Sequence, residues 1–131
     1  LESSSGKLNL PDGIGRAGEA AAASFIRRET GMDLIETNFR TREGEIDIVA
    51  RENDGFVFIE VKTRTNRKFG GASEQISTRK ALRLQTAAQL YLEKAESPNS
   101  DWRIDVVTVE MTRSGRIVNI EHIRNAIEDQ R

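Results

Sequence analysis

Cysteine is absent from this 131-residue chain, and histidine occurs once, at His122. Without cysteine there are no disulfides, zinc ribbons or thiol nucleophiles. One histidine leaves a conventional zinc site short of ligands. A Ser-His-Asp triad would have to use His122, and the G-x-S-x-G elbow is missing. Any metal here should therefore be a hard cation held by oxygen. No apolar run approaches the ~20 residues needed to span a membrane, and no signal-peptide pattern is present. A cytoplasmic protein with no membrane partner is expected. Hydrophobic residues make up 37% and charged residues 31%, the balance of a globular domain. Residues 1–11 read as a flexible lead-in, and residues 12–131 as one domain.

The stretch from Glu43 to Arg64 organises the rest. Ile46, Ile48 and Ala50 alternate with Glu45, Asp47 and Val49, and Val57, Ile59 and Val61 alternate with Phe58, Glu60 and Lys62. A period of two on either side of Asn53-Asp54-Gly55 predicts a β-hairpin. If Asn53-Asp54 is the turn, Asp47 falls opposite Glu60. If Asp54-Gly55 is the turn, Asp47 faces Lys62. In both registers Asp47, Glu60 and Lys62 share one face, and Ile46, Ile48, Val57, Ile59 and Val61 share the other.

Two carboxylates side by side across a strand pair repel. Facing Cβ atoms lie roughly 4.5–5.5 Å apart, so both carboxylates could reach one cation at ~2.1 Å, the Mg²⁺–oxygen distance. A divalent ion would turn the repulsion into a site, with Lys62 pointing into the same space. With Lys62 alone as counter-charge, Asp47→Asn is expected to raise the melting temperature of the metal-free protein. The plainer reading is a ladder of surface ion pairs, with Glu45 opposite Lys62 and Glu43 opposite Arg64 in the first register.

The net charge of −1 hides an uneven distribution. Residues 62–83 carry Lys62, Arg64, Arg67, Lys68, Arg79, Lys80 and Arg83 against Glu74, a local +6, which leaves −7 elsewhere. A basic stripe directly after an acidic cluster suits a polyanion laid across a metal site. A solvated helix face would also account for it.

The remaining elements follow from periodicity. A helix is expected from about Gly15 to Glu29, stopped by Gly31, with Glu19 near its start. Strands are expected at 33–42, 102–111 and 117–120, a second helix at 77–95, and a short terminal helix around Ile123 and Ile127. Gly13 to Gly18 spells G-x-G-x-x-G, but no strand precedes it to make a dinucleotide site. The order α-β-β-β-α-β-β-α predicts an α/β fold with helices flanking a mixed sheet.

A carboxylate on a leading helix, Asp47 on one strand, Glu60-Val61-Lys62 on the next and then a helix resemble the PD-(D/E)XK nuclease superfamily and its restriction-endonuclease-like core. The detailed pattern is closer to one branch. Gly18-Glu19, Asn38-Phe39-Arg40, Gly44-Glu45-Ile46-Asp47, Phe58 to Arg64, Phe69-Gly70, Lys80 and Arg103 to Val106 together resemble the YraN-like family of bacterial proteins. That family is regarded as endonuclease-like and related to archaeal Holliday junction resolvases. The superfamily's Pro-Asp pair appears here as Ile46-Asp47.

The resemblance implies a metal-dependent endonuclease. Asp47, Glu60 and the Val61 carbonyl would hold Mg²⁺ or Mn²⁺. Lys62 would act on the attacking water and the phosphate, and Glu19 would stand in the outer shell or hold a second metal. Phosphate contacts would come from Arg64, Arg67, Lys68, Arg79 and Lys80. The expected partner is nucleic acid, DNA foremost and branched DNA among the candidates, with a homodimer needed if a four-way junction is cut. The alternative is a non-catalytic nucleic-acid-binding or adaptor module on the same fold.

Overall fold

The hairpin forms in the first of the two registers. In the computed structural model, which describes residues 13–65 and 76–127, β2 (Glu45–Glu52) runs antiparallel to β3 (Gly55–Arg64). Glu52 pairs with Gly55 and Ile48 with Ile59, which makes Asn53-Asp54 the turn. Asn53 takes φ 56, a left-handed conformation that asparagine tolerates better than most residues. Gly55 is needed at the strand start rather than in the turn. A Cβ there would lie 3.1 Å from the carbonyl oxygen of Asp101, and the next residue, Phe56, donates its N–H to that oxygen at 2.9 Å.

The preceding chain supplies β1 (Asp33–Arg40) and, before it, α1 (Ile14–Phe25), which continues as a π-helical stretch, Ile26–Thr30. After the hairpin come α2 (Thr78–Lys94), β4 (Trp102–Met111) and β5 (Ile117–Ile123). The five strands form one mixed sheet in the order β1-β2-β3-β4-β5. Only β3 and β4 are parallel, and a parallel pair needs a long crossover. The crossover contains α2. Its start is capped by Ser77, whose hydroxyl accepts from the Lys80 N–H at 3.2 Å, as serine commonly does at this position.

Each helix covers one face of the sheet. On the α1 side, Ala22, Ala23 and Ile26 pack with Ile48, Val57, Ile59, Val61, Val107 and Val109. On the α2 side, Ala81, Leu84, Ala88 and Tyr91 pack with Val49, Phe56, Phe58 and Ile104. Phe58 and Tyr91 meet edge-on at 5.7 Å, the arrangement favoured by ring quadrupoles. The central strands are covered on both sides, so β3 is buried from Phe56 to Thr63.

Several boundaries differ from expectation. The regular α-helix ends at Phe25 rather than Glu29, and Gly31, at φ 76, stops the π-helical stretch. Strand β1 ends at Arg40, because Thr41 turns the chain by accepting from and donating to the Gly44 backbone. Strand β5 runs on to Ile123, and residues 124–127 form a turn in place of the expected helix. The N–H groups of Asn125 and Ala126 are spent on β4, on the Asp105 carboxylate and the Ile104 carbonyl, each at 2.8 Å. Asn125 itself takes φ 52, which a helix cannot continue through. The lead-in at 1–11 falls outside the described residues. Among the described residues no helix is long and apolar enough to cross a membrane.

Candidate active site

Asp47, Glu60 and Lys62 are almost wholly buried, at 2%, 1% and 4% exposure. Surface ion pairs would be solvated, so the ladder reading fails for these three. Glu60 and Lys62 alternate with Ile59 and Val61, which face α1, and they therefore lie on the α2 side. In parallel β4, Val106 and Thr108 stand beside them.

The hairpin opens at this point. The pairing stops at Ile48–Ile59. In a regular antiparallel ladder the next hydrogen-bonded pair would join Ile46 and Val61 and exchange both of their backbone bonds. Here the Val61 N–H donates instead to Asp47 Oδ2 at 2.8 Å. A side-chain carboxylate has replaced a main-chain acceptor. The strand alternation breaks with it, and Ile46 packs with the α2-side cluster rather than beside Ile48 as expected. N–H and C=O of one residue in an extended strand point the same way, so the Val61 carbonyl is directed toward the Asp47 side as well.

Glu60 meets a second cation. Lys80 Nζ on α2 lies 3.2 Å from Glu60 Oε2, yet that oxygen has no partner with hydrogen-bond geometry. The contact is an ion pair, and the orbital direction of the oxygen is unused. The two carboxylates thus have Lys80 as a counter-charge besides the expected Lys62. The premise that Lys62 alone offsets them does not hold, which removes the reason to expect a gain from Asp47→Asn.

The donor set fits a hard divalent cation. It comprises the carboxylates of Asp47 and Glu60, the latter with a buried oxygen that has no hydrogen bond, and the Val61 carbonyl, and Mg²⁺ commonly uses one or two carboxylates with water completing its shell. Among the described residues no three His, Cys, Asp or Glu side chains gather at one point, so Glu19 does not join Asp47 and Glu60 in such a group. It is half-buried on α1. Its neighbour Gly18 rests on β3, where a Cβ would lie 2.1 Å from Thr63 Oγ1. Only glycine lets α1 approach this closely, directly after Lys62 in β3.

The basic stripe is only partly available. Arg79 is exposed and Arg64 half-buried, while Lys80 is engaged with Glu60. Arg83 donates from Nε to the Glu43 carbonyl at 3.2 Å and docks α2 onto the β1–β2 turn. Arg67, Lys68 and Phe69 lie outside the described residues.

A second charged cluster, which sequence reasoning missed, occupies the α1 side. Asp105 is fully buried. Its Oδ1 accepts from Arg103 Nε at 2.9 Å and the Asn125 N–H at 2.8 Å, and its Oδ2 accepts from His122 Nε2 at 2.8 Å and Arg103 Nη2 at 3.2 Å. Arg103 also reaches Glu52 at 2.7 Å, and Arg124 joins Glu52 from β5's end at 3.2 Å. Burial would raise the Asp105 carboxyl, but the bonds from His122, Arg103 and Asn125 outweigh it and hold the group below its ordinary range. The signal available in the sequence was a lone aspartate inside the apolar run from Ile104 to Val109.

The profile of the uncharacterised protein family UPF0102 matches residues 18–109. The chain belongs to the UPF0102 (YraN-like) family. Glu19, Asp47, Glu60, Lys62, Lys80, Arg103 and Asp105 all lie within the matched span, and His122 lies beyond it. Among its relatives, each named UPF0102 protein, the one from Chloroflexus aurantiacus is 43% identical over 115 residues, 87% of this chain and 92% of its own. Those from Roseiflexus castenholzii and Caldicellulosiruptor saccharolyticus are 41% and 37% identical, over 88% and 86% of this chain and 94% and 95% of their own.

Proposed function

We propose that this UPF0102 protein is a metal-dependent endonuclease that hydrolyses phosphodiester bonds of nucleic acid. The observation that carries the reading is the joint burial of Asp47, Glu60 and Lys62 where the hairpin opens, with a Glu60 oxygen left without a hydrogen bond. Structural charge clusters normally satisfy every buried polar atom, and perturbed clusters are candidates for function.

The Asp47 and Glu60 carboxylates and the Val61 carbonyl would hold Mg²⁺ or Mn²⁺. When bound, such an ion supplies Lewis-acid stabilisation of the phosphate and a nucleophilic water at neutral pH. Asp47 also fixes its own position through the Val61 N–H. Lys62, buried two residues after Glu60, would bind a phosphate oxygen and stabilise the charge that develops on it. Exposed Arg79, with Arg64, Arg67 and Lys68, would hold neighbouring phosphates and set the backbone's position without reading sequence. DNA is the favoured substrate class, with branched DNA among the candidates, and a homodimer would supply two sites for a junction.

The test is a cleavage screen of purified protein on branched and linear DNA with Mg²⁺ or Mn²⁺. Lys62→Ala should abolish cleavage while divalent binding, measured by calorimetry, is largely retained. A protein that binds DNA in a salt-dependent way, cleaves none, and binds equally well as Asp47→Ala would instead be a non-catalytic module.

A further inference from the structure

Lys80 stands in a place that helix electrostatics disfavour. It lies three residues after the Ser77 cap, in the first turn of α2, which contains no acidic residue. The positive end of the helix dipole repels a cation there. What offsets this is Glu60, 3.2 Å away across the interface between α2 and β3. The side chain of Glu60 is 1% exposed and that of Lys80 24% exposed, so the carboxylate is fixed inside and the ammonium reaches in from the rim. The pair lacks hydrogen-bond geometry on Oε2. Lys80 therefore holds the oxygen by charge and leaves its lone-pair direction open.

We infer that Lys80 is the resident counter-ion of Glu60 and competes with the divalent cation for it. With no divalent ion bound, the ammonium neutralises a carboxylate that is otherwise buried without a partner for Oε2. When a divalent ion takes Glu60, the two cations repel, and the flexible lysine stem carries the ammonium outward to the rim, beside exposed Arg79. There it is placed for a phosphate oxygen of the substrate. One side chain thus protects the empty site and then serves the loaded one. This rests on the proposed metal site at Asp47 and Glu60, and adds a coupling between metal occupancy and phosphate binding at α2.

Calorimetric titration with Mg²⁺ and Mn²⁺, together with thermal melts, tests the exchange in wild type, Lys80→Met and Lys80→Arg. Lys80→Met keeps the aliphatic stem and removes the competitor. Its divalent affinity should rise roughly tenfold, within the usual range of coupling between linked sites. It should melt below wild type without metal and close most of that gap with saturating Mg²⁺. Lys80→Arg keeps the charge and should bind the divalent ion no more tightly than wild type. In the wild type itself, modification of Lys80 by an amine-reactive reagent should quicken when Mg²⁺ is added. Metal binding in wild type with no gain in Lys80→Met, or with Lys80 labelling unchanged, overturns the exchange and leaves the metal site standing. No divalent binding in wild type or in Lys80→Met overturns both.

Discussion

The sheet buries charge on both faces, and the two burials are built differently. On the α1 side, each oxygen of Asp105 accepts two hydrogen bonds, and the chain runs on through Arg103 to Glu52 and Arg124. Between β2 and β3, Asp47 has displaced a backbone acceptor, and on the α2 side Glu60 Oε2 meets Lys80 without a hydrogen bond. A saturated network has no vacancy for a ligand and acts as a clamp, here holding the end of β5 and the turn after it against β4. A buried carboxylate oxygen without a hydrogen bond, that of Glu60, has coordination capacity left over. Total buried charge does not separate the two regions. The fraction of lone pairs already used does.

The largest effect expected is on the saturated side. Asp105→Ala would strand the Arg103 guanidinium and break the tie to Asn125, at a cost of ~3–5 kcal/mol. Denaturant melts should show it, with a fall in melting temperature of roughly 10 °C or more. The same region predicts a pH dependence. The folded Asp105 carboxyl titrates below its unfolded value of 3.8. Its contribution is therefore complete above that value and lost as the pH falls through the folded value. Acid melts of Asp105→Asn should consequently be flatter than those of wild type.

Ligand addition should divide the two regions next. Mg²⁺ at a hundredfold excess over its dissociation constant would stabilise wild type by ~2.7 kcal/mol. Asp105→Asn, once folded, should gain as much, while Asp47→Ala gains nothing. A gain in Asp47→Ala would place the ion elsewhere and break the contrast.

Without metal, Asp47→Ala leaves the buried Val61 N–H without its acceptor and should cost ~1–3 kcal/mol. Asp47→Asn keeps an amide oxygen for that N–H. It should melt no higher than wild type, because Lys80 already offsets Glu60 and little repulsion is left to relieve. A clear rise in its melting temperature would restore the view of a strained, undercompensated pair. The smallest effect belongs to Arg124→Ala. Its pair with Glu52 is half-exposed on the arginine side, and its loss should stay within ~1 kcal/mol by the same melts.

Much of the fold was legible because its signals are local. The two-residue period on either side of Asn53-Asp54-Gly55 identified the hairpin, the apolar run from Ile104 to Val109 located β4, and the helical spacing of Ala81, Leu84, Ala88 and Tyr91 located α2 within a residue at each end. The shared face of Glu60 and Lys62 followed from strand geometry in either register. The choice of register did not. It depends on Gly55 lying against Asp101 just before β4, a residue remote in the chain from the turn. The terminal helix was misread for a similar reason, since Ile123 and Ile127 carry a helical spacing that the pull of Asp105 and Ile104 on Asn125 and Ala126 overrides.

Sequence by itself thus determined the types of the elements before the C-terminal turn and the placing of Glu60 and Lys62 on one strand face. Those depend on side-chain periodicity and composition, which are properties of neighbours in the chain. Only the tertiary structure decided that Asp47 opens the hairpin at Val61, that Lys80 from α2 meets Glu60, and that Arg103, Asp105 and His122 close a network on the opposite face. Each of these joins residues from different elements, and hydrogen bonds and ion pairs depend on distances that exist only once the helices have packed on the sheet.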